Sequence, residues 1–312
     1  MVRETARKKR LASKSALVPL FARPPSWTAP SFLVAAEADA LVRIARNMLP
    51  PSTELERQAV TSLRVNASQL ALVDAALVHN MSIRAAMLVG LPAANVEGIT
   101  LSRALPGARY GWHSDSPPQI AIVGGLTRVA TVLVYLTTHT KVPTRSAGAG
   151  ATVFPHARYA YEAPHPPVGA TNAWAGLPVS DQGCRRLERG RVQPLARSAI
   201  VWLNYHIVNR TSSPMRGLTC AERTCARLRR LLASAGQSVP PSGALAAGDV
   251  IPEALHGSCA IDTEERERWV MQVWLHNGAF DSADVILPSV RARLVRGLKQ
   301  HGTDPQGRCI GY

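Results

Sequence analysis

Residues 90–115 read GLPAANVEGITLSRALPGARYGWHSD, from Gly90 to Asp115. The Gly90-Leu91-Pro92 break ends whatever precedes it. Ile99 to Leu105 (ITLSRAL) then has the β-branched, alternating character of a strand. Pro106-Gly107 makes a turn, and Arg109 to Asp115 (RYGWHSD) resumes as a second strand. That strand carries His113 and Asp115 at i and i+2, and alternation along a strand points both side chains to one face. An imidazole nitrogen and a carboxylate oxygen side by side are suited to adjacent positions on a metal ion. In a chain with nine histidines a lone His-x-Asp has little weight, so its surroundings decide.

Upstream of this unit the pattern is helical. Ser31 is placed to cap a helix that runs to the Pro50-Pro51 stop with Leu41, Ile44, Ala45 and Met48 on one face. A second helix is expected from about Ala67 to Val89, where Leu70, Val73, Leu77, Met81 and Ala85 recur at helical spacing and Gly90 supplies the end. Downstream, ATVLVYLTT, ATVF, SAIVWLNYHI and RWVMQVWLH are further strand candidates. A helical front followed by apolar, β-branched strands gives an α+β domain whose sheet curls into a barrel or sandwich. Residues 156–197, rich in Pro, Gly, His and Arg, and 210–249, which hold a short basic helix, are expected to be insertions.

At 312 residues and 46% hydrophobic content the chain can bury a substantial core. No stretch approaches the ~18 uninterrupted apolar residues of a membrane-spanning helix, so no transmembrane segment is expected. The formal charge is +15. It is concentrated in residues 1–30, with seven basic residues and Glu4 as the one acid, and in 181–230, with eleven arginines and three acids. Such a distribution suits polyanion contact through the tail and the second insertion, or simply a solvated basic surface. Residues 1–30 read as a basic, disordered tail or targeting segment, with Arg23 to Pro30 as linker. The apolar stretch Ser15 to Ala22 is short and broken by Pro19, so it supports a secretory signal poorly and an organellar transit peptide somewhat better. Five cysteines at irregular spacing do not read as a disulfide scaffold or a zinc site, and they leave the compartment open.

A second histidine far along the chain would complete a two-His-one-carboxylate face, the arrangement that leaves positions open for non-haem Fe(II) chemistry. Several blocks, in order, supply that context. The approach Gly90 to Asp115, the strands Gly124 to Leu136 (GGLTRVATVLVYL) and Gly150 to Pro155 (GATVFP), the segment Leu255-His256-Gly257-Ser258-Cys259, and Arg268-Trp269 followed by Val273-Trp274-Leu275-His276 together resemble the prolyl 4-hydroxylases among the Fe(II)- and 2-oxoglutarate-dependent dioxygenases. The resemblance spans residues 90–276. It extends more loosely over the helical region 31–89, where Thr61-Ser62 falls at the family's Arg-Thr-Ser.

This resemblance implies a double-stranded β-helix, or jelly-roll, core over about 97–280. Supporting helices would lie in 31–96, an extension in 281–312, and the whole dioxygenase domain in 31–312. It implies iron ligands His113, Asp115 and His256, and a 2-oxoglutarate pocket in which Arg268 stands for the family's Lys, with Thr152 supplying a hydroxyl and Tyr110 shaping the mouth. Guanidinium can pair with carboxylate bidentately, so Arg268 is chemically reasonable. Arg266, on the same strand face, is a rival because the spacing from His256 is two residues longer than usual. Ala104 stands where the family has a tyrosine that touches 2-oxoglutarate, and the 210–249 insertion is placed to reshape or cover substrate access. The implied activity is hydroxylation of prolyl residues in a peptide or protein, with Fe(II), 2-oxoglutarate and L-ascorbate. The family's compartment is the endoplasmic reticulum, although no signal peptide supports it here. Two alternatives stay open: a nucleic-acid-directed oxygenase, suggested by charge, and an inactive basic binding protein of the same fold.

Overall fold

The computed structural model describes residues 17–49, 60–116, 126–137, 149–159, 179–180, 184, 187, 189–209, 222–238, 244–261 and 267–280. Strands β1 (Val18–Phe21) and β2 (Ser26–Ala29) precede helix α1 (Ala35–Met48), β3 (Thr61–Arg64) and helix α2 (Leu72–Val89). There follow β4 (Val96–Ala104), β5 (Tyr110–His113), β6 (Arg128–Tyr135), β7 (Thr152–Val153), β8 (Arg191–Val192), β9 (Ala199–Leu203) and β10 (Tyr205–Asn209). Helix α3 (Glu222–Ser234), β11 (Leu245–Val250), β12 (His256–Ser258) and β13 (Arg268–His276) complete the order.

One antiparallel sheet has the order β1-β2-β9-β6-β13-β4-β3, a second the order β5-β12-β7-β8, and β10 pairs with β11 apart from both. From β4 onward the chain switches between the sheets, so that β4, β13, β6 and β9 face β5, β12, β7 and β8. That is the connectivity of an eight-stranded jelly roll. The sheets touch where Tyr135 of β6 hydrogen-bonds Thr152 of β7 (2.7 Å) and where the Trp202 ring of β9 meets the His256 ring of β12 at 4.7 Å.

Alternation on β13 divides its residues between two environments. Met271, Val273 and Leu275 join Leu101 of β4 and Leu41, Ile44, Met81 and Ala85 of the helices in one buried core. Arg268, Val270 and Gln272 line a cavity between the sheets. Among the described residues one helix, α2, is long and apolar enough to cross a membrane. Here its Val78, Met81, Ala85 and Ala86 are buried in that core.

Several expectations from the sequence are corrected. Residues 1–30 are not all tail: β2 lies in the large sheet beside β9, and Trp27, read as linker, is 1% exposed. Ser31 does not cap α1. Its first turn closes at Val34, whose N–H donates to Glu37 Oε2 (3.0 Å). The Pro50-Pro51 stop lies outside the described residues. Helix α2 starts at Leu72, after a 3-10 turn that Asn66 caps; Met81 and Ala85 are buried as expected, but Asp74, Ala75 and Val78 share that face and Val73 is 74% exposed. Buried Asp74 is paired by the two terminal nitrogens of Arg43 at 2.6 and 3.1 Å. Gly90 does end the helix, at φ +81°.

The region 31–96 is not purely helical, since β3 pairs with β4. The first insertion contains β8, the outer strand of the small sheet, so 191–192 belong to the core. The second is bracketed by β10 and β11. Its α3 does not lie over the cavity. It packs behind the large sheet, where Ser234 Oγ accepts from Trp27 Nε1 (3.0 Å) and Arg227 Nε donates to the Leu88 carbonyl (3.3 Å). Within it Arg230 is exposed and Arg227 and Arg229 are partly buried. The basic residues of 1–16, Arg266 and the extension 281–312 lie outside the described residues.

Cys184 and Cys259 form a disulfide with a Cα–Cα distance of 5.9 Å and a sequence separation of 75. It ties the first insertion to the strand that carries His256. Closing a loop of this length restricts the unfolded chain, so Cys184→Ser is expected to lower stability by about 2–4 kcal/mol. A urea midpoint identical to that of the oxidised wild type would show that the bond contributes nothing.

Candidate metal centre

His113 is the last residue of β5 and lies opposite His256, the first residue of β12. Pairing these strands sets the two rings 4.2 Å apart. Because β12 begins at His256, the ladder ends at His113, and Asp115 sits in a bend beyond the strand. The same-face argument from strand alternation therefore does not place Asp115; the turn and its hydrogen bonds do.

Asp115 Oδ1 is 3.5 Å from His113 Nε2, and Oδ2 is 3.6 Å from His256 Nε2. One ligand atom from each of the three residues lies within 4.8 Å of the others. Both histidines use the opposite nitrogen on the main chain. Nδ1 of His113 donates to the Gly111 carbonyl (2.8 Å) and Nδ1 of His256 to the Ala254 carbonyl (2.9 Å). This pairing places the proton on Nδ1 and aims each Nε2 lone pair at the centre, the tautomer a metal requires. Burial, with His113 alongside, pushes His256 down to about 4 despite the attraction of Asp115, so it is a neutral imidazole at ordinary pH. Burial raises the Asp115 carboxyl, yet His256, His113 and the Thr131 hydroxyl outweigh it and hold the group well below the usual carboxylate range. Two imidazole Nε2 atoms and an ionised carboxylate suit a divalent first-row metal.

The bend at Asp115 is braced by a cluster at the ends of β4, β6 and β13. Arg128 Nη1 donates to the Asp115 carbonyl (3.2 Å), while Nε and Nη2 grip Glu97 at 2.5 and 2.6 Å. Glu97 also takes Arg64 and His276, and the Arg128 guanidinium stacks on Trp274 at 4.0 Å. Burial alone would raise the Glu97 carboxyl, but His276, Arg128 and Arg64 lower it from 4.5 to about 2. A carboxyl lowered on folding stabilises in full above its unfolded value, and that stabilisation is lost as pH falls through the folded one. The stability gap between wild type and Glu97→Gln is thus expected to be full above pH 4.5 and to close toward pH 2. Urea midpoints across this window measure it, and a gap independent of pH would contradict an ionic cluster.

The inter-sheet cavity runs from His113 and His256 to Arg268, Thr152 and Tyr135. Arg268 is 4% exposed, donates through Nη1 to the Gly150 carbonyl, and is held below its usual range by burial, at about 10, so it remains a cation at neutral pH. Thr152 shares a hydrogen bond with Tyr135, whose hydroxyl burial pushes up to about 12. Tyr110, 42% exposed, stands edge-on to His113 at the outer end. The expected residues His113, Asp115, His256, Arg268, Thr152 and Tyr110 thus meet around one centre and its cavity. Ala104 lies opposite Arg268 on the neighbouring strand and also lines the space.

Three contributors were missed in the sequence: Tyr135, Thr131 and Asn204. Tyr135 and Thr131 share the inward face of β6 with Leu133, so period-2 reading of that strand would have exposed them. Asn204 in the apolar run SAIVWLNYHI is a polar residue inside a strand pattern, a signal for a break with a buried partner.

No protein-family profile and no curated protein matches the chain. Among solved structures it is similar to a viral collagen prolyl hydroxylase from Paramecium bursaria Chlorella virus-1 with 2-oxoglutarate. Identity is 15%, covering 80% of this chain and 95% of that one, with a TM-score of 0.43. It is also similar to a Pseudomonas putida prolyl-4-hydroxylase, at 15% identity, 80% and 91% coverage and a TM-score of 0.39. A third is HygX from Streptomyces hygroscopicus with nickel and 2-oxoglutarate, at 12% identity, 82% and 84% coverage and a TM-score of 0.43. The structural neighbours are prolyl 4-hydroxylases and related 2-oxoglutarate oxygenases. The jelly-roll assignment itself stands on the strand order given above.

Proposed function

We propose that the chain is an Fe(II)- and 2-oxoglutarate-dependent dioxygenase that hydroxylates prolyl residues in a peptide or protein. The observation that carries this reading is that His113, His256 and the Arg268 guanidinium all open on one cavity, with Asp115 completing the ligand face. When bound, Fe(II) would activate dioxygen as the oxidant, with 2-oxoglutarate as the co-substrate oxidised to succinate and CO2. His113, Asp115 and His256 would hold the metal. Arg268 would pair with the distal carboxylate of 2-oxoglutarate, and the Thr152 and Tyr135 hydroxyls would share it. Leu133, Val270 and Trp202 give the cavity apolar walls that keep water from the reacting atoms. Tyr110 and the partly exposed His113 mark the side from which a large substrate would approach. The prolyl preference and a need for L-ascorbate rest on the sequence resemblance.

The test is succinate release with Fe(II), 2-oxoglutarate and ascorbate over a panel of Pro-rich peptides and methylated oligonucleotides, repeated at rising salt. Peptide-dependent turnover with weak salt dependence is expected, because groove contacts to a neutral peptide are insensitive to ions whereas phosphate contacts are not. Turnover seen only with oligonucleotides, falling steeply with salt, would establish the nucleic-acid reading instead. Absence of any succinate, even uncoupled, would return the chain to a binding role.

A further inference from the structure

Asn204 separates β9 from β10 and is fully buried. Its polar groups are committed. Trp202 Nε1 donates to Oδ1 (3.0 Å), Nδ2 donates to Thr131 Oγ1 and to the Arg128 carbonyl (both 3.1 Å), and the backbone N–H donates to the Val129 carbonyl (2.9 Å). An indole N–H can only donate, so it fixes which end of the amide is oxygen. The amide nitrogen then occupies Thr131 as a donor, and the single hydroxyl proton of Thr131 is left for Asp115 Oδ2 at 2.7 Å. The direction of the whole relay is dictated by Trp202.

We infer that Asn204 is a positioning residue for Asp115. Through Thr131 it commits Oδ2 to a hydrogen bond and leaves Oδ1 as the oxygen offered to a cation. The same residue registers the distal histidine. Its carbonyl accepts from Ile251 N–H (2.9 Å), which opens the turn ending at Ala254, whose carbonyl holds His256 Nδ1 (2.9 Å). The Trp202 ring lies edge-on to the His256 ring. Carboxylate and distal imidazole, from opposite sheets, are therefore aligned from one buried amide. This inference rests on the metal-site reading above.

The test uses the metal-stripped full chain titrated with Co(II), following the visible absorption of the bound ion, with urea unfolding in parallel. Asn204→Asp is nearly isosteric, but its carboxylate accepts from both Trp202 and Thr131, so the Thr131 proton turns away from Asp115. Thr131→Val removes the proton altogether, and Thr131→Ser restores it. Loss of such a supporting hydrogen bond weakens metal affinity by ~10–100-fold. We expect that loss, with an altered Co(II) spectrum, in Asn204→Asp and Thr131→Val, and near-wild-type binding in Thr131→Ser. The Thr131 pair decides the matter if Asn204→Asp fails to fold. Wild-type affinity and spectrum in folded Thr131→Val, or equal losses in Thr131→Val and Thr131→Ser, would overturn the positioning role. A wild-type chain that takes up no Co(II) would overturn the metal-site reading itself.

Discussion

His113→Ala is expected to abolish 2-oxoglutarate turnover and metal uptake together while leaving the chain folded. The side chain is 26% exposed, so little packing is lost with it, and the effect reports on coordination. Removing one of three protein ligands leaves a bidentate site, and the loss should exceed the ~100-fold that a missing supporting hydrogen bond can cost. His256→Ala is expected to fail equally. It also empties space between the Trp202 and Phe154 rings, 4.7 and 5.5 Å away, so its stability should drop as well. Asp115→Glu pushes the carboxylate one methylene farther than the bend and Thr131 allow, and is expected to be nearly inactive. Co(II) titration and succinate release, measured on the same preparations, check all three. Turnover within tenfold of wild type in any of them would remove that residue from the ligand set.

The second large effect is expected at the other end of the cavity. Arg268→Ala should raise the apparent KM for 2-oxoglutarate and leave Co(II) affinity unchanged. Truncating one partner of a buried, hydrogen-bonded charge pair costs about 2–5 kcal/mol, which corresponds to roughly thirtyfold to several thousandfold in affinity. Gly150→Ala is expected to act in the same direction, because a Cβ there would overlap the Arg268 guanidinium and the glycine holds φ +56°. Arg266→Ala should be mild. A strong effect at Arg266 with none at Arg268 would make Arg266 the anchor and shift the assignment by two residues.

How far the sequence could be read follows from the kind of signal each feature leaves. The last strand was legible to the residue, since RWVMQVWLH is the strand Arg268–His276, with Met271, Val273 and Leu275 in the core and Arg268, Val270 and Gln272 on the cavity. That His113, Asp115 and His256 would come together was legible because their chemistry is carried by residue type and order. Asp115 does lie beside both histidines, but not for the reason strand alternation gave: the strand ends at His113, and the carboxylate is aimed by contacts from β6 that no local pattern encodes. Residues 18–29 were misread because Pro24, Pro25 and Pro30 suggest a linker, whereas the pairing of Ser26–Ala29 with β9 is a contact between segments far apart in the chain. The buried face of α2 was legible only in part, since Met81 and Ala85 are buried while Val73 is exposed and Asp74 is buried against Arg43. Cys184 and Cys259 meet for the same long-range reason, through an insertion folding back onto β12.

The N-terminal hairpin has a consequence for how the protein must be handled. With β2 in place, all of Ala199–Trp202 on β9 has a neighbour on both sides, and the outermost strand is the four-residue β1, interrupted by Pro19. A short outer strand with proline discourages pairing with other molecules. A chain begun at residue 31, where composition alone would suggest trimming, would present β9 as a flat apolar border of open N–H and C=O groups. Such a truncation invites strand-to-strand self-association, and it would strip cover from the very strand that carries Trp202.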